Sequence, residues 1–357
     1  MKNIQAIQQS QNMIQKTSLS RFAYELVENK SIRQYNFCCS ININHEKTLL
    51  IASAKSTINV YIFKMGSVKL LANMGGDKSY IQALKFVDKS QHFLSGSHNG
   101  SIIVWSKYLF ANPKYIQQIK THQSSIVALI LHPIYENQFI SASSGFIEFF
   151  QYSNHRQWFS VDKISEIGQI FGMSINKNGT QIVTCSENHR IQVFEYQQSF
   201  LQQKNTSSWL LKQTINIKQQ GFRVCFLDND TFVFQPATQL WNGTKHMNLY
   251  RLNQQNQYIK QNAIPVKGGG QLCGQIFPSL YNLSKQILLM KNGKYINIFK
   301  YVDRSFKLRY KEVLSFGTSE VSGTLSDDGE YLITWDKKSR QIQVRMYTDL
   351  NANKQQE

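Results

Sequence analysis

One short pattern recurs seven times along the chain, and no other feature limits the fold as tightly: a β-run, a small polar turn, then a second β-run. The copies read "LLIASAKSTINVYIF" from Leu49, "HFLSGSHNGSIIVW" from His92, "QFISASSGFIEFF" from Gln138 and "QIVTCSENHRIQVF" from Gln181. They continue as "TFVFQPATQLWNGTKHMNLYRL" from Thr231, "QILLMKNGKYINIF" from Gln286 and "YLITWDKKSRQIQV" from Tyr331. An isolated hairpin cannot bury its own apolar face, so such copies must pack on one another.

The starts of the copies lie roughly 43 to 55 residues apart, which leaves room for two further strands in each unit and is close to the period of a four-stranded propeller blade. Ahead of the hairpins run alternating apolar strands: "FCCSINI" from Phe37, "IQALKF" from Ile81, "SIVALIL" from Ser125, "IFGMSI" from Ile170, "FRVCFL" from Phe222 and "VSGTLS" from Val321. Small and β-branched residues dominate several of them, as the crowded innermost strand of a ring requires. More polar strands follow the hairpins, as in "KYIQQIK" from Lys114, "RQWFSV" from Arg156, "WLLKQTI" from Trp209 and "FKLRYKE" from Phe306, and suit a solvent-facing edge. The fold class is therefore all-β, a seven-bladed propeller of four-stranded antiparallel blades.

The seventh unit ends near Tyr347 with three strands, and "RFAYELVE" from Arg21 has strand alternation but no unit of its own. This segment is expected to pair with the last unit and to close the ring, which removes exposed β-edges. The expected organisation is a Gln-rich tail at 1–18, flexible or docking, a single propeller at 19–350 and a short tail at 351–357.

At this point the residues resemble the WD40-repeat family over about residues 19 to 350. "SGSHNGSIIVW" is similar to the family's Ser-Gly-Ser-x-Asp-Gly turn followed by a strand ending in tryptophan, with Asn99 at the aspartate position and Trp105 at the tryptophan. The family ties its strands with a histidine, a Ser/Thr, the turn aspartate and the tryptophan, and here that set is incomplete in every unit. The second unit has Trp105 but no histidine, and the third has His122 in "THQSS" but Phe149 or Phe150 for tryptophan. The "WD" of Trp335 and Asp336 lies in a second strand and its turn, not at the family position. The resemblance implies a non-catalytic scaffold for protein–protein interactions in a larger assembly.

Composition agrees with a folded chain: 41% hydrophobic and 17% charged. No run approaches the roughly 18 apolar residues of a membrane span, and the start lacks a secretory core, so an intracellular and mainly cytoplasmic protein is expected, with ciliary, cytoskeletal or nuclear sites as alternatives. The five cysteines show no CxxC pair and are expected to be reduced and buried. The net charge is +18, and between Glu195 and Asp303 the only acids are Asp228 and Asp230. Two readings stand: a solvated lysine-rich face, or a surface for an anionic partner such as an acidic protein or RNA.

Convergent catalytic chemistry is missing from the pattern. No histidine spacing suits a metal; "GSHNG" is not a nucleophile elbow, "KGGGQ" at Lys267 is not a phosphate loop, and Asp327 with Asp328 fits a turn. No enzyme activity, cofactor or metal is expected. A propeller enzyme or small-molecule sensor would need a deep pocket with grouped carboxylates.

Contact residues are expected where turns gather at one end of the ring. The hairpin turns bring Lys55, His98, Asn99, His189, Arg190, Lys291, Asn292, Lys337 and Lys338, and the inter-unit loops bring Asp77, Tyr80, His122, Gln123 and Arg223. Trp241 projects from an enlarged turn as either a partner contact or a packed cover. Lys291, Lys294, Lys300, Arg304, Lys307, Arg309 and Lys311 make the sixth unit the most basic. The partners expected are proteins of a multi-subunit complex, docked through an acidic surface, with an RNA-associated or ciliary structural role as alternatives.

Overall fold

Short alternating runs broken by Gly, Asn and Asp can satisfy their backbone groups only by pairing, and in the computed structural model every regular element among the described residues is a β-strand. The structure describes residues 22–75, 78–87, 90–110, 115–198, 207–302 and 307–350. The first unit pairs Ile41–Ile43, Leu49–Ala54, Thr57–Lys64 and Ser67–Gly75 in sequence order, all antiparallel. The second, fifth and sixth units repeat that order and begin at Ile81, Gly221 and Leu280.

The third and fourth units join into one six-stranded sheet, because Trp158–Ile175 serves as outer strand of one and inner strand of the next. No proline interrupts that segment, and Gly168, at φ 82°, supplies the bend between its two halves. The last sheet takes its fourth strand from the start of the chain: Phe22–Leu26 pairs with Gln341–Asp349 in the register Tyr24↔Tyr347, and Ile32–Arg33 pairs further along the same strand. The Tyr24 hydroxyl donates to the Gly329 carbonyl at 2.8 Å, and Phe22 stacks on Tyr347 at 5.4 Å.

Seven apolar clusters occupy the seven junctions between neighbouring units, including the junction of the last unit with the first. There Ile41, Leu50, Tyr61 and Phe63 pack on Ile333, Trp335, Ile342 and Val344. Each buried Leu, Ile or Phe side chain contributes roughly 1.5–3 kcal/mol, against about 0–1 kcal/mol for an exposed ion pair. Apolar contact between units therefore holds the architecture. The innermost strands leave a central cavity of ≈ 1250 Å³ lined by, among others, Asn42, Lys85, Leu129, Met173, Arg223 and Leu325.

At the end where first strands turn into second strands, asparagines close the turns. Asn44 Oδ1 accepts from Thr48 and Leu49 N–H, and Asn176 Oδ1 from Thr180 and Gln181 N–H. Those turns are also linked across units, by His132 to the Gly179 carbonyl, by Asn282 Nδ2 to the Asp327 carbonyl, and by the Lys47–Asp328 ion pair. Polar side chains are thus largely consumed by structure at this end.

Candidate interaction face

The opposite end gathers the hairpin turns and the inter-unit loops, and backbone hydrogen bonds lace one to the other. Ile81 N–H donates to the Lys55 carbonyl and His98 N–H to the Tyr80 carbonyl, both at 2.8 Å. Ile217 N–H donates to His189, Val266 N–H to Lys245 and Phe316 N–H to Lys294, each at 2.9 Å. The same lacing recurs from unit to unit, so the loops form a fixed surface.

Of the residues expected there, Lys55, Tyr80, His98, Gln123, Arg190 and Lys338 are exposed, and His189 is half-buried. Asn99 Oδ1 accepts from Ser97 Oγ at 2.8 Å and Ser101 N–H at 3.1 Å, so its side chain closes the turn. Lys337 pairs with Glu320 at 2.6 Å. Lys294 is half-buried, and the Lys300 ammonium sits 5.9 Å over the Phe22 ring, away from this end. Lys307, Arg309 and Lys311 belong to the outer strand Lys307–Ser315 and not to a loop, and Asp77 and Arg304 lie outside the described residues.

Four residues expected at the surface are instead interior: His122, Arg223, Lys291 and Asn292. Arg223 belongs to an inner strand, and its side chain crosses to the loop that enters the sixth unit. Its Nε donates to the Phe277 carbonyl at 2.8 Å, and its terminal nitrogens to Gly274 and Ile276 carbonyls at 2.5 and 2.8 Å and to Cys273 Sγ at 3.1 Å. Burial pushes the Cys273 thiol up, but the charges of Arg223 and Lys291 outweigh it and hold the thiol below its ordinary value. Burial, with Arg223 nearby, brings the Lys291 ammonium down to about 7, and among the described residues it finds no acceptor. Asn292 is a strut: its Nδ2 donates to the Thr244 and Lys267 carbonyls at 2.8 and 3.0 Å.

Trp241 is both packed and presented. Its ring stacks on Phe222 at 5.1 Å and meets Phe171 edge-on at 5.4 Å, while its remaining surface is exposed. Two loops are joined beneath it, since Cys273 N–H donates to the Trp241 carbonyl and Gly243 N–H to the Gln271 carbonyl, both at 2.9 Å. Pattern alone did not show that the loop at 266–279 belongs to this surface. The signal was present in "KGGGQ", whose Gly268 at φ 103° lies against Asn292 too closely for any side chain.

The family's hydrogen-bonded set survives in halves. Trp105 Nε1 donates to Ser95 Oγ at 2.8 Å in the second unit. In the third, His122 bonds Ser143 Oγ at 2.6 Å and Ser141 Oγ at 2.5 Å and stacks on Phe146 at 4.5 Å. Burial, helped by Lys163, pushes its imidazole down to about 4, so the contact with Glu148 at 3.7 Å is made by a neutral ring. Among the described residues no group of three His, Cys, Asp or Glu is placed to hold a metal ion, and no helix is long and apolar enough to cross a membrane.

Fold and surface together define a β-propeller presenting a laced loop face. The family model "WD domain, G-beta repeat" matches residues 68–106, the outer strand of the first unit with the first three strands of the second, so this stretch is similar to a WD40 repeat within an all-β propeller. Pre-mRNA-processing factor 19 of Oryza sativa subsp. japonica is 26% identical over 99 residues, covering 28% of this chain and 19% of that protein. Restriction of telomere capping protein 1 of Lodderomyces elongisporus is 25% identical over 193 residues, 48% of this chain and 16% of that protein. The aligned segments span less than a fifth of the length of either relative.

Proposed function

We propose that the chain is a non-catalytic scaffold that docks other proteins of a larger assembly through its laced loop face, with an acidic surface as the preferred partner. The observation that carries this reading is the separation of charge. Between Glu195 and Asp303 the only carboxylates are Asp228 and Asp230, and both sit in the turn from Leu227 to Thr231 at the other end of the ring. The loop face there keeps its lysines without counter-ions in that stretch of sequence, and a positive field both steers and selects acidic partners. Native copurification followed by size analysis tests it. Recovery in a salt-sensitive complex well above the 41.4 kDa of the chain is expected. A free monomer that turns over a small molecule overturns it.

An RNA-associated role is the second reading, favoured by the net charge of +18 and by similarity to a protein named for pre-mRNA processing. It requires binding to total RNA that weakens steeply with salt, as counterion release dictates. No retention on total RNA at low salt rules it out.

A further inference from the structure

We infer that the loop face of the fifth unit is a docking site for an acidic, extended segment of a partner protein, anchored by one large apolar side chain. This inference rests on the scaffold reading and specifies where and what the scaffold binds. Three exposed apolar side chains are concentrated there: Leu240 is 77% exposed, Leu272 57% and Trp241 40%. Scattered surface leucines carry no meaning. These three stand on two loops bridged to each other at Asn242↔Leu272, so they form a shared platform.

The platform is fixed before any partner arrives. Trp241 holds the left-handed conformation at φ 60°, an uncommon backbone for so bulky a residue, closing a turn in which its N–H donates to the Thr238 carbonyl at 2.9 Å. Gly270 N–H donates to the Gly243 carbonyl at 2.8 Å, Asn292 braces both loops, and Arg223 clamps the second loop from below. A rigid aromatic with little entropy left to lose is the usual anchor of an interface.

Charge selects the occupant. Lys245 and Lys267 are exposed at the bases of the two loops, and exposed Lys218 enters the same unit. Residues 231–302 contain no carboxylate, so neither loop of the platform carries an acid of its own. Nucleic acid is disfavoured by the platform's chemistry. One Trp241 face is already covered by Phe222, and Leu240 and Leu272 offer no hydrogen bonds to a base edge. A carboxylate-rich segment with a central Phe or Leu matches both the rim and the centre.

The probe is a fluorescein-labelled peptide of about twelve residues, Glu and Asp around one central Phe. Its controls are the same peptide with Phe replaced by Ser and an oligouridylate of equal charge. Trp105, Trp158, Trp209 and Trp335 are buried, so acrylamide-accessible tryptophan emission reports Trp241. The Phe peptide is expected to bind, to shield that emission, and to weaken at least tenfold in Leu240→Ser/Leu272→Ser and in Lys245→Glu/Lys267→Glu. These positions are exposed, so an unchanged melting curve shows that each variant folds, and Trp241→Phe provides a milder second variant. Equal binding of the Ser peptide or the oligouridylate, no binding, or variants equal to the parent overturns the site. Native copurification separates the two failures. If the parent and Leu240→Ser/Leu272→Ser retain the same proteins, the scaffold stands and this site falls; if neither retains any, both fall.

Discussion

The side-chain amide of Gln117 brackets the backbone of Trp158: its Nε2 donates to the Trp158 carbonyl at 2.7 Å, and its Oε1 accepts the Trp158 N–H at 2.8 Å. Gln213 holds Tyr258 in the same way, at 3.0 and 2.7 Å. Asp162 accepts the Trp209 N–H at 3.1 Å, and Glu312 accepts the Tyr24 N–H at 3.0 Å. In each case a polar residue on one outer strand binds an aromatic residue's backbone on the next unit's outer strand. The rim is therefore stitched by side chains, complementing the apolar junctions nearer the centre.

Replacing Gln117 by Ala removes both bonds and leaves the Trp158 carbonyl and N–H short of partners. A loss of about 1–3 kcal/mol is expected, read as a lower denaturation midpoint at unchanged slope. Gln213→Ala should cost a similar amount. The brackets lie far apart, so the double variant should lose the sum of the two. A cost indistinguishable from zero for both would show that the brackets only decorate the rim.

The hairpins were legible because β-alternation has a period of two and because Asn-Gly and Asp-Gly mark tight turns. The inner strand of the sixth unit, Leu280–Asn282, was not, since three residues give no period to read. Long-range partners explain the misplaced site residues as well. Arg223 looks like a surface arginine until the Phe277, Gly274 and Ile276 carbonyls, some 50 residues away in sequence, are brought to it. Its position in "FRVCFL", between Phe222 and Val224 on an inner strand, was the available hint of burial. Lys291 and Asn292 read as a turn, yet both lie in the strand Ile287–Asn292.

His122 makes stability depend on mildly acidic pH. The folded imidazole sits near 4 against an ordinary 6.5, so its protonated form is penalised only in the folded state. The contribution is complete above pH 6.5 and is lost as pH falls toward about 4. His122→Phe should flatten that part of the pH dependence relative to the parent, while leaving the Ser141 and Ser143 hydroxyls without this partner. Parallel parent and variant curves of denaturation midpoint against pH would contradict the assignment.

Lys291 acts in a higher window. Its folded value near 7 lies below the ordinary 10.5, so the unfolded chain binds the extra proton between them, and stability rises with pH above about 7. Cys273, also depressed, adds in the same direction below pH 9. The other four cysteines are raised by burial and oppose the trend above that pH, so the clean interval is about pH 7 to 8.5. Lys291→Met should raise the melting temperature most at pH 7 and below and should reduce the slope in that interval. A variant less stable than the parent at pH 7 would mean that the ammonium has a partner worth more than its burial costs.

Arg223→Met tests whether the loop face depends on its buried clamp. The substitution leaves the Gly274, Ile276 and Phe277 carbonyls without the bonds that fix the loop at 266–279, at an expected cost of about 3–5 kcal/mol. The effect should be regional before it is global. Amide exchange across residues 268–278 and acrylamide access to Trp241 should rise under conditions where the other units remain protected. Arg223→Lys should fall between, because it keeps the charge but loses the planar fork that serves several carbonyls together. Unchanged exchange in that loop would assign its order to the Gly243 and Asn292 contacts alone and would leave Arg223 as a packing residue of its inner strand.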